Sequence, residues 1–108
     1  MKELEKRYVD VLESNDVRII DYLDDGRVEL EWYSPAGEDF SMCVEVDDFP
    51  RSMSEYAADF DVDEHIAMWI EAKNNGVFGV PSARELAHDA EAIEEFLENL
   101  ADKLHKEA

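Results

Sequence analysis

The chain has 108 residues, with 29 acidic side chains against 10 lysines and arginines, for a formal net charge of -19 and a sequence pI near 4.2. That surplus disfavours direct binding to nucleic acid, which needs clustered Lys and Arg to displace counterions, and an anionic membrane surface repels it for the same reason. With 45% hydrophobic residues the composition is too apolar for a disordered acidic tail, and the length suits one acidic domain over residues 1–108.

Leu4, Tyr8, Val11 and Leu12 recur at helical spacing among charged residues, so Lys2 to Ser14 reads as an amphipathic helix. Ser14-Asn15-Asp16 ends it with turn-forming side chains. From Val17 to Val46 the period becomes two. Val17 and Ile19 alternate with Arg18 and Ile20, and Asp24-Asp25-Gly26 marks a tight hairpin. Val28, Leu30 and Trp32 then share one face, with Glu29, Glu31 and Tyr33 on the other. After a turn at Ser34-Pro35-Ala36-Gly37, Phe40, Met42, Val44 and Val46 alternate with Ser41, Cys43 and Glu45. The pattern predicts a three-stranded antiparallel meander with one buried face.

Such a sheet needs a cover, and the rest of the chain supplies helices. A short helix is predicted over Pro50 to Phe60. A second runs from Asp61 to Asn75, with Asp61 and Glu64 in capping-box spacing, Gly76 as its stop, and Val62, Ile66, Trp69 and Ile70 as apolar positions. Gly76 to Pro81 connects it to a long helix opened by Ser82 and Glu85 in a second capping box. Leu86, Ala90, Ile93, Leu97, Leu100 and Leu104 form a narrow seam on that helix. The seam has two readings: closure of the chain's own core, or a homodimer through Leu86, Ile93, Leu97, Leu100 and Leu104. The fold class is α+β, with an N-terminal helix, a three-stranded antiparallel meander, and two or three C-terminal helices packed on one sheet face.

Between Glu38 and Glu64 ten acidic residues face a single cation, Arg51. Asp47, Asp48, Glu55, Asp59, Asp61, Asp63 and Glu64 make the candidate partner-binding surface, for a basic protein and in particular a nucleic-acid-binding one. The alternative for the same residues is a solvated face that confers solubility, or a general adaptation to high salt. Solubility alone needs a net charge of only about 2–8 in a small domain. Tyr33, on the sheet face opposite the core, is the aromatic candidate for a contact, whereas Trp32 and Trp69 are expected to meet between sheet and helix.

Asp59-Phe60-Asp61-Val62-Asp63 opens like a calcium loop, but Glu64 stands where that loop needs glycine and Ile70 where it needs a bidentate Glu. Asp61 and His65, one helical turn apart, are the candidates for a metal-dependent binder or small enzyme. There is, however, no paired-His motif and no second cysteine for a zinc site. His65, His88 and His105 otherwise read as surface histidines, His105 complementing the negative end of its helix. Cys43 lies between Glu45 and Ser41, which offer no cation to lower its pKa. No catalytic residue, cofactor or metal is expected. The single cysteine, the absence of an apolar leader and the absence of a long apolar run point to the cytoplasm.

Ser34 to Phe40, Asp63-Glu64-His65, and Gly79-Val80-Pro81-Ser82-Ala83-Arg84-Glu85-Leu86 resemble small acidic open reading frames of gut Firmicutes, often near conjugative elements and phages. The likeness covers the chain from about Ser34 onward. That group has no assigned activity, so no site residue carries over. The resemblance implies a bacterial, mobile-element setting, where acidic inhibitors of DNA-handling enzymes (anti-restriction or anti-CRISPR proteins) are a recurrent type.

Overall fold

The computed structural model describes residues 2–34, 39–74 and 83–108. Its elements run α1 (Lys6–Ser14), β1 (Arg18–Tyr22), β2 (Arg27–Tyr33), β3 (Asp39–Glu45), α2 (Phe49–Asp59), α3 (Val62–Asn74) and α4 (Ala83–Glu107). The strands form one antiparallel sheet in the order β1-β2-β3, so the α+β meander with flanking helices is what the chain folds into. The predicted turn at Pro35–Gly37, the connector Gly76–Pro81 and the cap at Ser82 lie outside the described residues.

Local chemistry explains the joints. After α1 the chain turns at Asp16, whose φ is 61°; the Val17 N–H donates to the Leu12 carbonyl at 2.9 Å and the Asp16 N–H to Glu13 at 3.2 Å. These two bonds make a Schellman closure, with buried Leu12 and Val17 as its apolar pair. Gly26, with φ 85°, closes the β1–β2 hairpin. Asp48 enters α2 in the left-handed region, with φ 50°, and Pro50 occupies the first turn of that helix.

One detail in β1 departs from plain alternation. Ile19 pairs with Leu30, but Asp21 pairs with Glu29 and Tyr22 with Val28, so an extra residue sits between Ile19 and Asp21. Without that bulge Asp21 would face the core. With it, Tyr22 takes the inner position and Ile20 is left 46% exposed. Strict period-two reading of β1 therefore fails beyond Ile19.

On the core face, Val28 pairs with Val44, Leu30 with Met42 and Trp32 with Phe40. Val28, Val44, Leu30 and Met42 join Leu4, Tyr8, Leu12, Phe49, Met53, Ile93, Leu97, Leu100 and Leu104 in one buried cluster, and the half-buried Trp32 and Phe40 pack against it. Trp32 stacks on Phe96 of α4 with ring centroids 3.9 Å apart and planes at 4°, so its ring partner is Phe96 and not Trp69 as expected. The α4 seam is consumed inside the chain: Leu86, Ile93, Leu97, Leu100 and Leu104 are all at most 1% exposed. Of its two readings, intrachain packing is the one the fold realises. A homodimer through that seam would require opening the core.

At the start of α3, Asp61 Oδ1 accepts the Glu64 N–H at 3.1 Å, and the Asp61 carbonyl accepts the His65 N–H at 3.0 Å. The capping role read from the spacing is thus realised. Replacing Asp61 by Ala is expected to cost about 1 kcal/mol, and replacing it by Asn, which also caps, only a few tenths. Urea midpoints of the two variants check this ordering.

Candidate interaction site

The helix α3 is only lightly buried. None of its described side chains from Val62 to Glu71 is fully buried: Val62, His65, Ile66 and Trp69 are half-buried, Met68 is 59% exposed and Ile70 is 42% exposed. Ile70, expected on the apolar stripe, therefore faces outward. The short passage from Asp59 through Phe60 to Val62 brings α3 up beside the first residues of β3, and a groove of about 700 Å³ opens between β3, α2 and α3.

Aromatic rings form much of that groove. Phe40 meets Phe60 edge to face with centroids 5.8 Å apart, and the His65 ring lies 5.5 Å from Phe60 and 6.3 Å from Phe40. Tyr56, Met68 and Trp69 extend the apolar wall, while Asp39, Asp59, Asp61 and Glu64 supply four carboxylates, and among the described residues no lysine or arginine lines it. Burial pushes the Tyr56 phenol above its ordinary range, and nearby Cys43 adds to the shift.

His65 is not the surface histidine expected from the sequence. Burial against the two phenylalanines lowers its pKa below the ordinary 6.5, and the Asp89 carboxylate of α4 opposes the shift. A histidine held neutral in the native state binds protons more readily when unfolded. Its contribution to stability is therefore fully present above pH 6.5 and is lost as pH falls through 6.5 towards the native value. Relative to the wild type, His65→Gln is expected to lose less stability between pH 7.5 and 5.5, as urea midpoints of the two proteins at each pH will show. Comparing the two proteins cancels the titration of the carboxylates they share.

Of the candidate partner-binding carboxylates, the groove gathers Asp59, Asp61 and Glu64 and leaves the others elsewhere, while His65 and Trp69 also line it. Asp47 and Asp48 sit exposed at the β3–α2 joint, where Asp47 forms an ion pair with Lys2. Glu55 pairs with Arg51 at 3.1 Å on the outside of α2, and Asp63 points to solvent. Tyr33 lies on the outer sheet face, 55% exposed, with the Arg18 guanidinium 5.4 Å from its ring centroid; Arg18 also pairs with Glu31. That face is separate from the groove. Cys43, on the sheet face opposite Met42 and Val44, is exposed.

Sequence reasoning missed Asp39, Phe40, Tyr56, Phe60 and Met68 as lining residues. The available signal was Asp59-Phe60-Asp61, an aromatic between two carboxylates in a joint too short to bury it fully. Among the described residues no group of three His, Cys, Asp or Glu side chains is arranged to hold a metal ion, so Asp61 and His65 gain no third ligand there. Among them, too, no helix is long and apolar enough to cross a membrane. Fold and groove together define the class: an acidic α+β chain with an aromatic groove edged by carboxylates. Comparison with protein-family models, with curated protein sequences and with solved structures returned no match.

Proposed function

We propose that the chain is a non-catalytic interaction protein of the bacterial cytoplasm that binds a basic, nucleic-acid-handling partner and blocks it by presenting charge in place of a phosphate backbone. The observation that carries this reading is the groove at β3, α2 and α3, where Asp39, Asp59, Asp61 and Glu64 edge an aromatic wall that, among the described residues, no lysine or arginine lines. Four carboxylates on a chain of net charge -19 attract a cationic surface from a distance and repel an anionic one. Exposed Met68 and Ile70 on the same helix add apolar contact area of the kind that interface centres use. The mobile-element setting implied by the sequence resemblance is one in which inhibitors of DNA-handling enzymes recur.

The test is affinity capture from a bacterial lysate at about 0.05 M and about 0.5 M salt, where screening shortens from about 14 Å to about 4 Å. Wild type and an Asp59→Asn, Asp61→Asn, Glu64→Gln variant serve as baits. The proposal expects a basic DNA- or RNA-handling protein on the wild-type bait at low salt only, and none on the variant. Equal recovery on both baits would overturn it.

A further inference from the structure

The chemistry of the groove specifies its occupant more narrowly than charge alone. Its wall combines flat apolar rings (Phe40, Phe60, Tyr56 and Trp69) with the carboxylates of Asp39, Asp59, Asp61 and Glu64. A metal ion matches the carboxylates but leaves the rings without a partner, and an apolar side chain does the reverse. A side chain with a hydrocarbon stem and a cationic head satisfies both.

Between the two such side chains, guanidinium is the better match. It is planar, stacks on aromatic faces, is more weakly hydrated than an ammonium group, and engages carboxylates through a fixed fork of donors. The same wall carries two polar atoms that are buried and have no partner among the described residues, Nε2 of His65 and Nε1 of Trp69. Buried polar atoms without partners are costly, and their wall residues gain most from an incoming group that can both donate and accept. The indole N–H needs an acceptor, which a peptide carbonyl provides. The unprotonated nitrogen of a neutral imidazole accepts a hydrogen bond from a guanidinium or a peptide N–H.

We propose that the β3–α2–α3 groove binds an arginine side chain presented by an extended segment of the partner, with the guanidinium among the carboxylates and the stem against the rings. This rests on the reading of the chain as a binder of basic proteins, and it names the residue that the partner inserts.

The experiment is a titration of ¹⁵N-labelled chain with acetyl-Gly-Arg-Gly-amide, with the citrulline and lysine tripeptides as comparisons. The chain has two tryptophans, Trp32 and Trp69, so the Trp69→Phe variant identifies the Trp69 indole signal by its loss. The arginine peptide is expected to shift that signal saturably and leave the Trp32 indole in place, the neutral citrulline peptide to shift neither, and the lysine peptide to bind more weakly. Asp59→Asn with Asp61→Asn is expected to weaken arginine binding about tenfold, through the loss of two exposed charge pairs. These substitutions leave the buried cluster and the helix cap in place, so a lost response is not a lost fold.

An unmoved Trp69 signal, or equal responses to arginine and citrulline, overturns the proposal. Equal responses to arginine and lysine overturn the choice of guanidinium. If capture recovers a salt-sensitive basic partner while Trp69 stays unmoved, the groove assignment fails and the broader reading stands. If Trp69 responds but no basic partner is captured, it is the broader reading that fails.

Discussion

Replacing Leu97 by alanine is expected to lower the unfolding free energy by about 2–5 kcal/mol and the thermal midpoint by roughly 10–25 °C. Leu97 is 0% exposed in the cluster where α4 meets the sheet and α2, beside the stacked Trp32 and Phe96. Truncation leaves a cavity inside that buried cluster, and close-packed neighbours cannot close it without breaking their own packing. Ile70 makes the contrast. It is 42% exposed on α3, and its replacement by alanine is expected to change stability by no more than about 0.5 kcal/mol. Thermal and urea unfolding of the two variants reads both numbers. A large loss at Ile70, or a negligible one at Leu97, would mean that α3 and not α4 organises the core.

The second large effect is electrostatic, and it links stability to binding. Like charges about 10 Å apart repel by roughly 0.4 kcal/mol per pair in unscreened water. A net charge of -19 on this chain sets many such pairs against few compensating contacts. The ion pairs Lys6–Asp10, Arg7–Glu5, Arg27–Asp25 and Arg51–Glu55 are all exposed, and exposed pairs contribute little. Screening therefore removes more repulsion than attraction, so raising salt from about 0.01 M to about 0.5 M is expected to stabilise the fold by roughly 1–3 kcal/mol. The Asp59→Asn, Asp61→Asn, Glu64→Gln variant removes three neighbouring charges and keeps the α3 cap. It is expected to be more stable than the wild type at low salt and nearly equal at high salt, while losing the captured partner. A change that improves the fold and removes binding marks residues kept for contact and not for folding. Thermal midpoints of both proteins across a salt series, measured beside the capture, check both halves.

The parts of the fold that were legible in sequence are those set by local chemistry. The period-two runs of β2 and β3, the Asp-Asp-Gly hairpin, the Asp61 cap and the α4 stripe each carry their signal within a few residues, and each stands where that signal places it. The bulge in β1 was not legible, because it is decided by which side chain, Asp21 or Tyr22, the sheet's partners will accept. The groove was half legible. Its carboxylates belong to one acidic stretch of sequence, but its wall comes from β3, α2 and α3 together. Phe40 reads as an ordinary inward strand residue until the Asp59–Val62 joint sets Phe60 and His65 against it. The expected meeting of Trp69 with Trp32 fails for a related reason. Helical spacing says which residues share a face, but not which helix supplies the partner, and here Phe96 of α4 does. The charge surplus was plain from composition, yet only the fold separates Asp59, Asp61 and Glu64 in the groove from Asp47, Asp48, Glu55 and Asp63 outside it.

The measurement that tests charge mimicry most directly is competition between this chain and a DNA or RNA duplex for the captured partner. The account predicts mutual exclusion: the duplex displaces the chain, the chain displaces the duplex, and each raises the other's apparent Kd in proportion to its own concentration, without a plateau. A ternary complex in which both bind with unchanged affinity would contradict it.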